Sequence, residues 1–435
     1  MPVRTRALRI YGKRDLRLEE FDLPDLADDE ILAEVITNSI CMSSHKAAQQ
    51  GPDHKRVPDD VARSPTILGH EFAGRLLQVG CRWEDSYRPG QMFAIQPALM
   101  YEGSTDAPGY SYRYVGGNAT RVVLPREVML MDCLLPYAGD AFFKASLAEP
   151  MSCVVGAFRA QYHWQPGAYD HEMGIRQGGN CALLAAAGPM GLAAIDFALH
   201  GPRKPGLLLV TDIDPDRLAR AEKLFPPEEA ASNGVRLLYV NPRQLGGGPD
   251  ATVRRVRELT EGAMMDDVFV FFPGEALVEQ ADAMLGRNGC LNFFAGPPDK
   301  DFSARLNFYD VHYEEHHIVG TSGGNTRDMR ISLELMSEGK LNPAGMVTHV
   351  GGLDSAGETI LELPDIPGGK KLIYTHVRMP LTPIGEFSRR AETAEGPLRE
   401  AFAELGRLVE HGDGLWNARA EQFLLSCDEL KFPHD

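Results

Sequence analysis

The sequence predicts an α/β protein: a doubly wound parallel sheet in the middle of the chain, set into an irregular β-rich unit made from both flanks. Three observations carry that prediction. Short apolar stretches broken by Gly, Pro and Asp fill residues 1–150. From Cys181 the texture changes to strand, glycine turn and helix in repeating order. From Ile318 to Tyr374 the mixed, β-rich texture returns.

In the N-terminal part, Ala7–Tyr11, Ile31–Thr37, Phe72–Val79 and Gln91–Ile95 read as short strands. Leu147–Ala160 reads as a helix, and the polar stretch Gln161–Asn180 as a loop. CALLAAAGPMGLAAIDFALHG and LLLVTDIDPDRLARAEKLF each give an apolar strand followed by a helix. Further strands are expected at Arg236–Val240, Asp267–Phe272 and Cys290–Ala295. Strands alternating with helices imply right-handed crossovers and a parallel sheet. Leu398, Phe402, Leu405 and Val409 fall at helical spacing, so the chain beyond about residue 380 reads as a helical extension that covers either the β-rich unit or a subunit interface. The expected division is residues 1–158 with 318–380, residues 159–317, and residues 381–435.

The length of 435 residues predicts two or three domains. A formal net charge of −17 argues against a general nucleic-acid or anionic-membrane surface, since both need a basic patch. Seven cysteines are scattered without a CxxC pair, which reads as reduced thiols. MPVRTRALRIYGKRDL lacks the apolar core of a signal peptide, and no apolar run approaches membrane-spanning length. A soluble cytoplasmic protein is expected.

Ala186-Ala187-Gly188-Pro189-Met190-Gly191 lies between a predicted strand and helix. Gly188 would let the backbone approach a pyrophosphate seated on the helix N-terminus, and Gly191 would let the helix pack close to the strand. Ala186 stands where the full GxGxxG pattern has its first glycine. Asp212 ends the next predicted strand, 24 residues beyond Gly188, where a carboxylate accepts hydrogen bonds from the adenosine ribose. This favours NAD. Arg217, one helical turn on, leaves NADP open because it could reach a 2′-phosphate.

Cys41, His70 and Glu149 offer a thiolate, an imidazole and a carboxylate, a donor set that suits zinc and leaves a fourth position open for chemistry. Taken singly, Cys41 reads equally as a buried thiol, His70 as a core histidine and Glu149 as a surface carboxylate.

In order along the chain, Cys41-Met-Ser43, Gly69-His70-Glu71-Phe-Ala-Gly, Glu149-Pro150, GPMG and the strand-end Asp212 resemble the zinc-containing medium-chain dehydrogenases. The polyol (sorbitol) dehydrogenase branch is nearest. YDHEMGIRQGG, GCLNFFAGP, VGTSGGNT and IPGGKKLIYTHVRMPLT resemble its L-sorbose-1-phosphate reductases. The resemblance implies a GroES-like β-barrel catalytic unit and a Rossmann nucleotide unit, with nicotinamide and zinc in the cleft between them. It also implies one catalytic zinc on Cys41, His70 and Glu149, hydride exchange with NAD or NADP, and a homo-oligomer, dimer or tetramer. The substrate class implied is a ketose, ketose phosphate or polyol.

The chain departs from the family pattern in three places. Gln96–Gly117 has no cysteine, so no structural zinc is expected. Ser44 stands where the family has Asp, so another group must orient the histidine ligand. Lys46 stands at the place of the relay histidine, with His45 one residue early. Ser43, two residues after a ligand, is the candidate for passing the hydroxyl proton; His45 and Glu71 are further catalytic candidates, and Glu71, adjacent to His70, reads as a group supporting the ligands, an exchanging ligand or a surface carboxylate. A phosphorylated sugar would need cations, and Lys46, Arg113, Arg121 and Lys144 fall in the expected substrate unit, Lys46 and Arg113 being the candidates for binding substrate; each of the four reads equally as a solvated surface charge. His312, His316 and His317 read as structural, and His163 and His171 have no assigned role. The competing readings are a dehydrogenase of free polyols or secondary alcohols, a zinc-free quinone or enoyl reductase on this fold, and a non-enzymatic nucleotide sensor or lens-type structural protein.

Overall fold

The computed structural model describes residues 2–246, 248, 250–297 and 299–432. The chain forms two compact units: Met1–Glu149 with Met336–Glu338 and Pro343–Asp435, and Pro150–Leu335 with Gly339–Asn342.

The second unit is built on a six-stranded parallel sheet. Its order is Arg236–Val240, Leu207–Thr211, Asn180–Leu184, Met265–Val270, Leu285–Phe293 and His317–Gly320. Every residue of Leu207–Thr211 is buried. A parallel strand covered on both faces has no solvent side to alternate with, which is why this sequence is a continuous apolar run. The chain first steps outward from Asn180–Leu184, then returns to its other side at Met265–Val270. That reversal opens a crevice beyond the carboxyl ends of the strands, the usual ligand position in such sheets.

The first unit is built from both ends of the chain. Its main sheet runs Thr382–Pro383, Val347–Gly352, Lys370–Tyr374, Ile31–Ile40, Glu71–Val79, Met92–Ile95 and Leu134–Pro136, with Arg121–Leu124 also paired to Ile31–Ile40. Arg4–Gly12 pairs separately with Asp15–Asp22 and Thr66–Ile67.

The structure moves the expected boundaries. The helix Ala148–Ala160 falls almost wholly in the second unit, which begins at Pro150 rather than residue 159. His317–Gly320 is the sixth strand of the parallel sheet, so an expected break at 318 cuts through a strand. Four residues are too few to declare a period. The segment read as loop, 161–180, contains a short ribbon of Tyr162–Trp164 against His171–Met173.

The region 381–435 is not a separate body. Its described part adds the helices Phe387–Thr393, Pro397–Glu410 and Ala418–Ser426, and the buried Leu405, Trp416 and Leu424 share one core with Phe143, Val350 and Tyr374. Trp416 Nε1–H donates to Tyr374 Oη at 2.7 Å. Buried Glu421 accepts from the backbone N–H groups of Phe142 and Phe143 at 2.8 and 3.0 Å. No helix among the described residues is long and apolar enough to cross a membrane.

Candidate metal centre and nucleotide cavity

Cys41 follows the strand Ile31–Ile40 and is the N-cap of the helix Met42–Gln50. Its carbonyl accepts from Ser44 N–H at 3.0 Å, and Ser43 Oγ–H donates to its Sγ at 3.1 Å. Burial, and then the charge of Glu71, push the Cys41 thiol up. A thiolate there requires a nearby cation, which a metal ion would supply.

His70 sits where Thr66–Ile67 turns into Glu71–Val79. The turn needs Gly69, at φ +103, and Gly109, where a Cβ would lie 2.1 Å from the Gly69 carbonyl oxygen. Gly69 N–H donates to the Gly109 carbonyl at 3.1 Å, so the backbone feeding His70 is pinned. Ser44 Oγ lies 3.4 Å from Nδ1 of His70, while Ser43 Oγ and Tyr110 Oη lie 3.3 and 3.4 Å from Nε2. The Tyr110 ring stacks on the imidazole with centroids 4.8 Å apart. Burial holds His70 below its ordinary range, keeping it neutral and able to act as a ligand.

Glu71 opens its strand opposite Ser39 and is almost fully buried. Lys370, the first residue of Lys370–Tyr374, donates to both Glu71 oxygens at 2.6 and 2.7 Å. Burial alone would push the Glu71 carboxyl up, but the charges of Lys370 and His70, with hydrogen bonds from Lys370 and Ser39, together outweigh this and hold it below its usual range. Burial likewise opposes the Lys370 charge, and Glu71, followed by Cys41, holds the ammonium protonated. Glu149 lies in the first turn of Ala148–Ala160; burial, then repulsion from Glu71, push its carboxyl up to about 7.

The donor atoms that converge are those of Cys41, His70 and Glu71, all within 4.8 Å of one another. A tetrahedral zinc with bonds of about 2.0–2.3 Å separates its ligands by roughly 3.3–3.8 Å, so small side-chain adjustments accommodate it, and the S, N, O donor chemistry fits. Here the structure departs from the expected trio. Glu71 stands in the converging set, while Glu149 stands beside it, close enough to feel Cys41, His70 and Glu71 electrostatically. The difference arises because Glu71 follows His70 directly, whereas Glu149 arrives on a separate helix.

Of the other expected residues, Ser43 and Ser44 are at the centre, Ser44 occupying the role of the absent Asp beside His70. His45 is not brought in. Its Nδ1 bonds to the Ile360 carbonyl at 2.8 Å. Lys46 is exposed at the helix surface, and Arg113 is exposed and lies over the Tyr114 ring instead. Lys144 pairs with Asp140, and Arg121 with the Arg4 carbonyl. His163 is held by Asp267 and the Asn288 carbonyl, and His317 by Asn288. These histidines join no metal-binding group among the described residues. Lys370 and Tyr110 are central residues that sequence reasoning missed. A lysine beginning a fully buried strand was the available signal for Lys370.

In the second unit, a cavity of about 1160 Å³ is lined by Gly188, Pro189, Met190, Gly191, Asp212 and Arg217, with Arg243 and Phe271 among the other walls. Gly188 is the N-cap of Pro189–His200, and a Cβ there would meet no atom within 4 Å. Gly191 packs so tightly that a Cβ would lie 2.0 Å from the Ala186 carbonyl oxygen. Asp212 is buried and accepts from Ala187 N–H at 3.0 Å and Asp214 N–H at 3.1 Å. Arg217 lies 3.5 Å from Asp214.

Relatives that span nearly the whole chain include two with named substrates. L-sorbose 1-phosphate reductase of Klebsiella pneumoniae is 50% identical over 425 residues, 98% of this chain and of that protein. Mannitol-1-phosphate 5-dehydrogenase of Aliivibrio fischeri is 49% identical over 421 residues, 97% of each. The crystal structure of 2R,3R-butanediol dehydrogenase from Bacillus subtilis matches with a TM-score of 0.66, 20% identity, and coverage of 85% of this chain and 99% of that one. It shares the fold: a GroES-like unit joined to a Rossmann unit. No protein-family model matches the chain.

Proposed function

This chain belongs to the polyol dehydrogenase branch of the medium-chain dehydrogenase/reductases, an oxidoreductase family, and from that premise we propose that it interconverts a ketose phosphate and the corresponding polyol phosphate. The observation that carries this reading is identity of about one half, over nearly the full length, to two relatives whose names specify sugar-phosphate substrates.

Cys41 and His70 would hold one zinc ion, with Glu149 as the third donor. Glu149 is favoured because Lys370 already occupies both Glu71 oxygens. When bound, zinc polarises the carbonyl being reduced and a nicotinamide cofactor supplies or accepts the hydride. The chain's own residues do the rest. Ser44 orients His70 from its Nδ1 side. Ser43 Oγ, within hydrogen-bond reach of both Cys41 and His70, is placed to hold or pass the proton of the substrate hydroxyl. Lys370 keeps Glu71 ionised without leaving a naked charge in the interior.

The cavity beside Gly188 would take the dinucleotide, with its pyrophosphate at the N-terminus of Pro189–His200. Asp212 in the wall and the pairing of Arg217 with Asp214 support NAD over NADP. The test is a matched activity screen of free polyols, ketoses and their phosphates against NAD(H) and NADP(H), with metal analysis of the purified protein. The expected result is a preference for phosphorylated substrates and one zinc per chain. A preference for free polyols, or full activity in metal-free protein, would overturn the reading.

A further inference from the structure

Three cations lie within electrostatic reach of His54, in a chain that carries 61 acidic residues against 44 basic ones, and none of the three has an acidic partner among the described residues. Lys46, Lys55 and Arg56 take part in no ion pair among the described residues, in contrast to Arg6, Arg9, Arg17 and Arg159. Their charges lie together. After burial, it is Arg56, Lys55, His70 and Lys46 that hold His54 below its ordinary value.

Arg56 is the most constrained of the three. Its main chain is pinned: Ser111 Oγ donates to its carbonyl at 2.7 Å, and its N–H donates to His54 Nδ1 at 3.3 Å. Its side chain is half-buried, and the buried Nε has no hydrogen-bond partner. A buried donor left unmatched is costly, and guanidinium is the side chain best suited to a two-pronged bond with phosphate.

The position relative to the metal centre follows from an aromatic column. His54 stacks on Tyr110 at 5.6 Å, and Tyr110 stacks on His70 at 4.8 Å. The Arg56 guanidinium carbon lies 5.4 Å from the Tyr110 ring centre. Chained together, these put the guanidinium within about 10 Å of the imidazole ring centre. In a 2-ketose 1-phosphate, phosphorus is three bonds from the carbonyl carbon, a reach of roughly 4 Å at ordinary bond lengths. A ketose 1-phosphate with its carbonyl at the metal can therefore span the distance to Arg56 with its phosphate.

We propose that Arg56 is the residue that selects phosphorylated substrates, receiving the phosphate through Nε and its terminal nitrogens, with Lys46 and Lys55 enlarging the positive field around it. This assignment rests on the sugar-phosphate reading above.

The test compares kcat/KM for a ketose 1-phosphate and for the same ketose without phosphate, in wild type, Arg56→Ala and Arg56→Lys holoenzymes. Wild type should favour the phosphate, and R56A should shrink that ratio by on the order of 10²-fold. R56K, which keeps charge but not the fork, should fall between them. Inorganic phosphate should inhibit wild type competitively and R56A far more weakly. Zinc content and melting temperature report whether R56A is folded; if it is not, R56K and phosphate inhibition still decide. A wild type that prefers phosphate with an unchanged ratio in R56A and R56K overturns the Arg56 assignment alone. A wild type without any preference overturns the sugar-phosphate reading, and this assignment with it.

Discussion

Replacing Lys370 by Met removes the only cation bonded to Glu71 among the described residues and leaves that carboxylate almost fully buried. Breaking one side of such a pair typically costs about 3–5 kcal/mol, most of it the penalty of an uncompensated interior charge. For a unit of this size each kcal/mol lowers Tm by roughly 2–4 °C, so a drop of about 6–20 °C is expected. The assay is calorimetric melting of metal-free K370M, Glu71→Gln and the double variant at pH 8 and pH 5. Glu71 is held below its ordinary value in the wild type. Its stabilising contribution is therefore complete above the unfolded value and fades only as pH falls through the lower folded one. In K370M the unpaired carboxyl rises instead, so the deficit should shrink toward acid pH as it protonates. The double variant should recover most of the loss, giving a coupling energy above about 1 kcal/mol. A K370M melt within a degree of wild type, or a deficit that E71Q leaves untouched at both pH values, would refute the reasoning.

Other predictions concern separate parts of the molecule. Cys41→Ala and Glu149→Gln should each lose zinc by elemental analysis and lose at least about 10²-fold in turnover while still binding NAD, because the cavity is lined by other residues; retained zinc in E149Q would move the third donor to Glu71. Burial pushes Glu421 up to about 7 from its ordinary 4.5, so the folded protein binds that proton more tightly. The stability this brings is full below 4.5 and is lost as pH rises through 7, about 3 kcal/mol in all. Urea titrations from pH 4.5 to 8 should show that slope in wild type and a flatter one in Glu421→Gln. Gly191→Ala places a Cβ 2.0 Å from the Ala186 oxygen and should cost about 1–3 kcal/mol and weaken NAD affinity; unchanged dinucleotide binding by calorimetry would count against the tight helix–strand approach.

What was legible in the sequence follows physical locality. The glycine turn, Asp212 and the buried parallel strands were legible because each is a short run with one mechanical purpose. Arg236–Val240 appears at the residues its pattern predicts. Cys41 and His70 were legible through motif context. The Glu71–Lys370 pair was not, since its members are 299 residues apart and each looks like an ordinary charge in its own neighbourhood. Tyr110 and Arg56 belong to two separate loops with no period, and only folding sets them against His70 and each other. The amphipathic tail was read correctly as helical, with Phe402, Leu405 and Val409 buried. Its destination was invisible because an apolar stripe does not say what covers it.

The first unit's main sheet joins Ile31–Ile40 to Lys370–Tyr374, with the whole parallel-sheet unit encoded between them. That arrangement sets an order of assembly on the ribosome. At about 5–20 residues per second, Glu71 emerges some 15–60 s before its counter-ion Lys370. The nucleotide unit, although second in the chain, has all its residues available first. The nascent N-terminal part meanwhile holds an unpaired Glu71 and an unfinished sheet edge, a natural target for chaperones. Circular permutation that brings residues 343–432 ahead of residue 2 would remove that wait, and refolding yield against synthesis rate would show how much it matters.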